Sequence, residues 1–210
     1  MLKPETITEF CTALASAAPA PGGGAGAAAG GALGAALVGM VFEHTIEREQ
    51  AAGAGRNLRQ ARDTVCSLRK DLLDLIDKDA AACNEVLVAL RLPEGTQAEK
   101  DCRRESLQKA YMFASEVPVS TAECCLAVLS AAEGLAPRIS PQLKSELATG
   151  VMLAHSGAHG AILNIEANAP HVRNAEMTDR LRQRCVRLRE RADVLRERTL
   201  GAIPGREQSR

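Results

Sequence analysis

The sequence predicts an all-α protein, a single-domain bundle of about six or seven helices around one Ala/Gly-rich central helix. Every long segment places apolar residues at helical spacing, and none shows a sustained strand-like alternation. Capping boxes stand where helices should begin, at Thr6/Glu9, Thr96/Glu99 and Ser120/Glu123. Residues 19–42 read PAPGGGAGAAAGGALGAALVGMVF, an uncharged run with small residues on nearly every face, which suits a helix enclosed by others at short interaxial distance.

The first helix opens at Thr6, carries the stripe Ile7, Phe10, Cys11, Leu14 and Ala15, and ends at Pro19 and Pro21. The central helix follows from about Ala25 to Glu49. Gly22, Gly23 and Gly24 precede it, and each would cost about 0.5–1 kcal/mol relative to Ala inside a helix. They therefore serve close backbone approach or unusual dihedrals, and a ligand or a neighbouring chain should come nearest there. Gly53 and Gly55 punctuate the chain before a long helix from about Arg56 to Leu90, stopped by Pro93. Its seam runs Leu58, Val65, Leu68, Leu72, Ile76, then Asp79, then Cys83, Val86 and Leu90, so a carboxylate sits on the buried face.

The Thr96 box starts a helix expected to stop at Val117 before Pro118, and the Ser120 box starts another ending near Gly134. After Pro137 and Pro141 a helix from about Ser145 to Asn168 presents the face Glu146, Gly150, Gly157, Gly160, Asn164, Asn168, and Pro170 stops it. The last helix, about Glu176 to Leu200, has Met177, Leu181, Cys185, Leu188, Ala192 and Leu195 at heptad-like spacing. The helical domain spans residues 1–200, with 201–210 expected as a disordered tail.

Composition narrows the function. The 26 basic and 26 acidic residues balance, and with no Trp, one Tyr and three Phe the chain has neither the charge nor the stacking platforms for nucleic acid. Seven cysteines, an odd number without a CxxC pair, read as reduced thiols of a cytoplasmic protein. The opening MLKPETITEF has no apolar signal core, so export is not expected. Residues 25–42 have the length of a marginal membrane span, with Gly22, Gly26, Gly30 and Gly34 four apart, but Ala and Gly bury too little area to drive insertion. The expectation is a buried helix and no membrane.

Asp79 and Glu146 are the two candidate catalytic groups. A carboxylate on an apolar seam needs a donor, a cation or a water-filled cleft, and a buried structural Asp answers the pattern as well as a functional one. Glu146 opens a helix, where the macrodipole favours it, above a small-residue face ending in two amides that could line a polar cleft. His155 and His159 have the spacing by which two imidazoles share a metal, yet the sequence suggests no third ligand, so no metal is expected. His44, between Glu43 and Glu47, reads as exposed, and Cys124 and Cys125 as small core residues. The triglycine segment could cradle an anion but lacks a P-loop pattern.

Four segments carry a family resemblance: ASAAPAPGGGAGAAAGGALGAALVGMV, LLDLIDKDAAACNEVLVALRLPEGTQAEK, SLQKAYMFASEVPVSTAECC and GAILNIEANA. Together, from about Thr6 to Asn168, they resemble the formiminotransferase-cyclodeaminase and methenyltetrahydrofolate cyclohydrolase family. The resemblance implies an all-helical homodimer with folate near the subunit interface and no metal or redox cofactor. In the cyclohydrolase, water adds to the methenyl carbon of tetrahydrofolate and a carbon–nitrogen bond breaks. In the cyclodeaminase, a ring-closing attack on the formimino group expels ammonia.

By that resemblance Gly22, Gly23 and Gly24 match the family's triglycine, Asp79 its Asp, and Asn164 and Asn168 its helical asparagines. FEHTIEREQA stands where the family reads like NLTIGKKKY, putting Glu43 at its Asn, Arg48, Glu49 and Gln50 at its lysines and Ala51 at its Tyr. ISPQLKSEL stands in place of GNLNVISDA, with Ser145 and Glu146 at its Ser–Asp pair. The implied assignment is Asp79 and Glu146 for acid/base chemistry, and Gly22, Gly23, Gly24, Arg48, Ser145, Asn164 and Asn168 for substrate. Cyclohydrolase is preferred to cyclodeaminase because no formiminotransferase domain is attached. The altered ERE at Glu47 to Glu49 favours the alternative, a catalytically inactive helical dimer that binds a ligand or protein.

Overall fold

The computed structural model describes residues 6–50 and 56–204. Among them the chain forms α1 (Ile7–Leu14), α2 (Gly23–Gln50), α3 (Arg56–Leu90), α4 (Gln97–Leu135), α5 (Lys144–Asn168) and α6 (Ala175–Ala202), with three short 3-10 turns and no strand. Gly53, Gly55 and residues 205–210 of the expected tail lie outside the described residues. Helix α6 extends past the expected end because Thr199 and Ile203 are buried against the bundle.

Two of the three expected capping boxes form. Thr6 and Glu9 exchange hydrogen bonds at the start of α1, as do Thr96 and Glu99 at the start of α4. The third does not. Ser120 lies inside α4, its hydroxyl donating to the Glu116 carbonyl at 3.2 Å. The expected break at Pro118 is likewise absent, and one helix replaces two. A proline in a helix interior costs about 3 kcal/mol, partly by leaving the carbonyl four residues earlier without its N–H partner. Here that carbonyl belongs to Ala114, and the Asn168 side-chain amide donates to it at 2.7 Å. Val117, Pro118 and Val119 are all buried, and the helix is continuous through the site of the missing bond.

The Ala/Gly helix α2 is central, packed chiefly on α5 and α3 and touching α4. It runs antiparallel to α5, with Gly31 facing Gly157 and Gly34 facing Gly150. The approach is at backbone contact: a Cβ on Gly34 would lie 2.7 Å from the Ala154 nitrogen, and one on Gly157 2.8 Å from the Ala27 carbonyl oxygen. Helices α3 and α4 close the other sides, where a Cβ on Gly31 would fall 2.5 Å from Cys125 Sγ. Helices α2 and α4 are long and apolar enough to cross a membrane by length and composition, but 56% and 61% of the relevant windows are buried in the bundle.

Candidate functional site

Gly24 and Asp79 meet where the start of α2 packs on the C-terminal half of α3. The seam of α3 carries Asp79 inward, and only the missing side chain of Gly24 leaves room for it, since a Cβ there would lie 2.0 Å from Asp79 Oδ1. No glycine of the triad has a left-handed backbone, and close approach requires glycine at Gly24 alone, since a Cβ on Gly22 or Gly23 would meet nothing nearer than 4.0 or 3.5 Å. Gly23 and Gly24 also form the first turn of α2 and are not a loop ahead of it.

The first turn of a helix leaves N–H groups without partners inside the helix. The Ala25 N–H donates to Asp79 Oδ2 at 2.8 Å. Burial pushes the Asp79 carboxyl above its ordinary value, and the Ala25 N–H only partly opposes this. Four residues on, Cys83 shares the face and its thiol donates to the Pro19 carbonyl at 3.3 Å. Burial, with the Asp79 charge second, pushes that thiol upward too, so it stays protonated.

Helix α5 supplies the opposite wall. Asn164 stands across from Gly23, where a Cβ would lie 3.5 Å from its Nδ2, and its amide is oriented by donating to the Gly160 carbonyl at 2.8 Å. Asn168 is oriented by the carbonyl that Pro118 frees. Among the described residues neither amide oxygen has a hydrogen-bond partner. These groups, with Tyr111 and Val86, line a cavity of about 250 Å³. That is below the roughly 300–1,000 Å³ of sites for whole drug-sized ligands, so it admits one end of a larger molecule. Tyr111 is stacked on His171, ring centroids 4.5 Å apart and planes 15° off parallel, which fixes a flat surface at its rim.

The structure thus brings together Gly22, Gly23, Gly24, Asp79, Asn164 and Asn168. It does not bring Glu146, Ser145 or Arg48 to them within one chain. Glu146 lies in the first turn of α5, eighteen residues and about 27 Å along the helix from Asn164. Its carboxylate accepts from the Ser145 hydroxyl at 2.8 Å, which, with its own N–H, holds it below the ordinary value. Arg48 ends α2, donating to the Arg138 carbonyl, while Arg138 pairs with Glu49. Cys83 and Tyr111 line the cavity besides the expected site residues, Cys83 from the α3 seam and Tyr111 from α4. Cys83 follows Asp79 by one helical turn and was legible in principle, whereas Tyr111 reaches the cavity from another helix.

A second, apolar groove of about 530 Å³ lies between α1, α2 and α3, where Ile7, Leu33 and Leu73 are exposed beside Gly26, Ala29 and Gly30. Helix α1 buries none of its residues fully, so its expected stripe only partly covers this face.

Comparison with known proteins agrees with this architecture. The family model described as formiminotransferase-cyclodeaminase matches residues 6–187. A methenyltetrahydrofolate cyclohydrolase of Methylorubrum extorquens is 36% identical over 165 residues, 79% of this chain and 79% of that protein. A formimidoyltransferase-cyclodeaminase of Rattus norvegicus is 29% identical over 203 residues, 97% of this chain but only 38% of the length of that relative. The crystal structure of formiminotetrahydrofolate cyclodeaminase from Thermotoga maritima superposes with a TM-score of 0.84, covering 95% of this chain and 96% of that one at 22% identity, a likeness of fold.

Proposed function

Because this chain belongs to the formiminotransferase-cyclodeaminase family, we propose that it is a folate one-carbon enzyme that hydrolyses methenyltetrahydrofolate to formyltetrahydrofolate. One observation carries the reading: a half-buried carboxylate with raised proton affinity, set between a glycine helix start and two oriented amides. Asp79 takes a proton from the water that attacks the methenyl carbon. It returns that proton to the nitrogen that leaves as one carbon–nitrogen bond breaks, while the hydroxyl proton of the adduct passes to solvent as the formyl carbonyl forms and the methenyl cation's charge is lost, so the same group serves as base and then acid. Asn164, Asn168 and the backbone at Gly22, Gly23 and Gly24 hold the substrate's polar ring edge. The cyclohydrolase relative, at 36% identity, is the support for putting hydrolysis first, and the cyclodeaminase relatives keep cyclodeamination as the competing reaction.

The partner in this reading is a second copy of the chain. The exposed groove along α2 is the surface proposed for it, and Glu146, Ser145 and Arg48 join an Asp79 cavity only from the other copy. The test is loss of methenyltetrahydrofolate absorbance faster than in buffer. Release of ammonia from formiminotetrahydrofolate would instead assign the cyclodeaminase reaction. A second reading, a binding module without turnover, is favoured by Arg48, Glu49 and Arg138, which satisfy one another at the end of α2. Folate binding by calorimetry with no turnover would select it.

A further inference from the structure

His155 and His159 lie on the side of α5 that faces α6, away from the cavity. Sequence alone pairs them and offers no third ligand. The structure supplies one in Asp193 of α6, whose Oδ1 stands 2.7 Å from His155 Nε2 and 3.1 Å from His159 Nε2. One ligand atom from each of the three lies within 4.8 Å of the others. The two rings lie with centroids 4.3 Å apart and planes tilted by 41°, and both Nε2 atoms converge on the same carboxylate oxygen, Asp193 Oδ1.

We propose that His155, His159 and Asp193 bind a borderline divalent transition-metal ion of the zinc class, which pins α6 to α5. Two imidazoles and a carboxylate are a donor set for such ions, and three protein ligands leave a fourth position for water. Tetrahedral ligands about 2.0–2.1 Å from zinc are separated by about 3.3 Å. The observed separations from Asp193, 2.7 and 3.1 Å, are about 0.6 and 0.2 Å shorter than that tetrahedral spacing, and Asp193 has room to withdraw because its side chain is 42% exposed. His155, at 12%, is the fixed wall and His159, at 31%, lies between, so the cluster is buried on one side and open to solvent on the other. Arg196, one turn beyond Asp193, is paired with Glu197 at 3.4 Å.

Cobalt(II) titrated into the full, chelator-stripped chain tests the proposal, with zinc in parallel thermal melts. The expected result is one cobalt per chain, visible bands without a thiolate charge-transfer band, and a melting temperature that rises with metal concentration. His159→Gln and Asp193→Asn, shown to be folded by their helical circular dichroism, should each lose more cobalt affinity than the roughly 10–100-fold that removing a ligand's hydrogen-bond partner costs. No cobalt uptake, a sulfur charge-transfer band that places the ion on cysteines, or variants that bind as tightly as the parent would each overturn it.

Discussion

At Asp79 the protein keeps a carboxylate where burial opposes its charge. Its proton affinity is raised above the ordinary 3.8, so the folded state binds the proton more tightly than the unfolded chain. Stability from this group is present below the unfolded value and is lost as pH rises through the raised folded value. Asp79→Asn removes the cost of the charge while its amide oxygen still accepts the Ala25 N–H. The variant should therefore gain melting temperature over the parent as pH rises from 3.8 through that window, and then hold a constant advantage. Gly24→Ala should act the other way, since its Cβ would lie 2.0 Å from Asp79 Oδ1 and drive the carboxylate from its place. Turnover should fall by about 10²-fold, the penalty typical of a misplaced catalytic group. Gly23→Ala, whose nearest contact would be 3.5 Å, should be far milder in the same assay.

Among the helices, α2 and α5 show why so much small-residue sequence is present. Gly34 and Gly157 let two backbones touch, and adding a methyl there should cost about 1–3 kcal/mol of unfolding free energy by overpacking. Gly134→Ala is the contrast, because nothing lies within 4 Å and the helix gains about 1 kcal/mol in propensity. Denaturant titration of the three variants should separate them in sign. Pro118 links an element to the site. In Pro118→Ala the restored N–H competes with Asn168 for the Ala114 carbonyl, so α4 should become more stable while folate affinity, read by calorimetry, falls. Helix periodicity, two capping boxes and the Asp79 outlier were legible because they are local patterns. The continuity of α4 was not, since its compensation comes from Asn168, fifty residues beyond Pro118. Asp193 was hidden for the same reason: on α6 it reads as one more surface acid.

Across the whole molecule, α2 lies at the centre of the bundle yet leaves one flank exposed, with Leu33 and Leu73 about half exposed at 49% and 51%. A second copy covering that flank is expected to give a dimer in sedimentation, and Leu33→Glu should shift it toward monomer by placing a charge in the contact. On the proposal that the polar ends of α2 and α5 complete the Asp79 cavity from the second copy, the same variant should also lose activity. The Asp79 cavity is the place proposed for the folate chemistry. Its most direct test is methenyltetrahydrofolate hydrolysis by the parent and by Asp79→Asn, each with calorimetric folate binding. The predicted result is hydrolysis well above buffer for the parent, and an Asn variant that binds folate but does not turn it over. A parent no faster than buffer, or an Asn variant as fast as the parent, would contradict it.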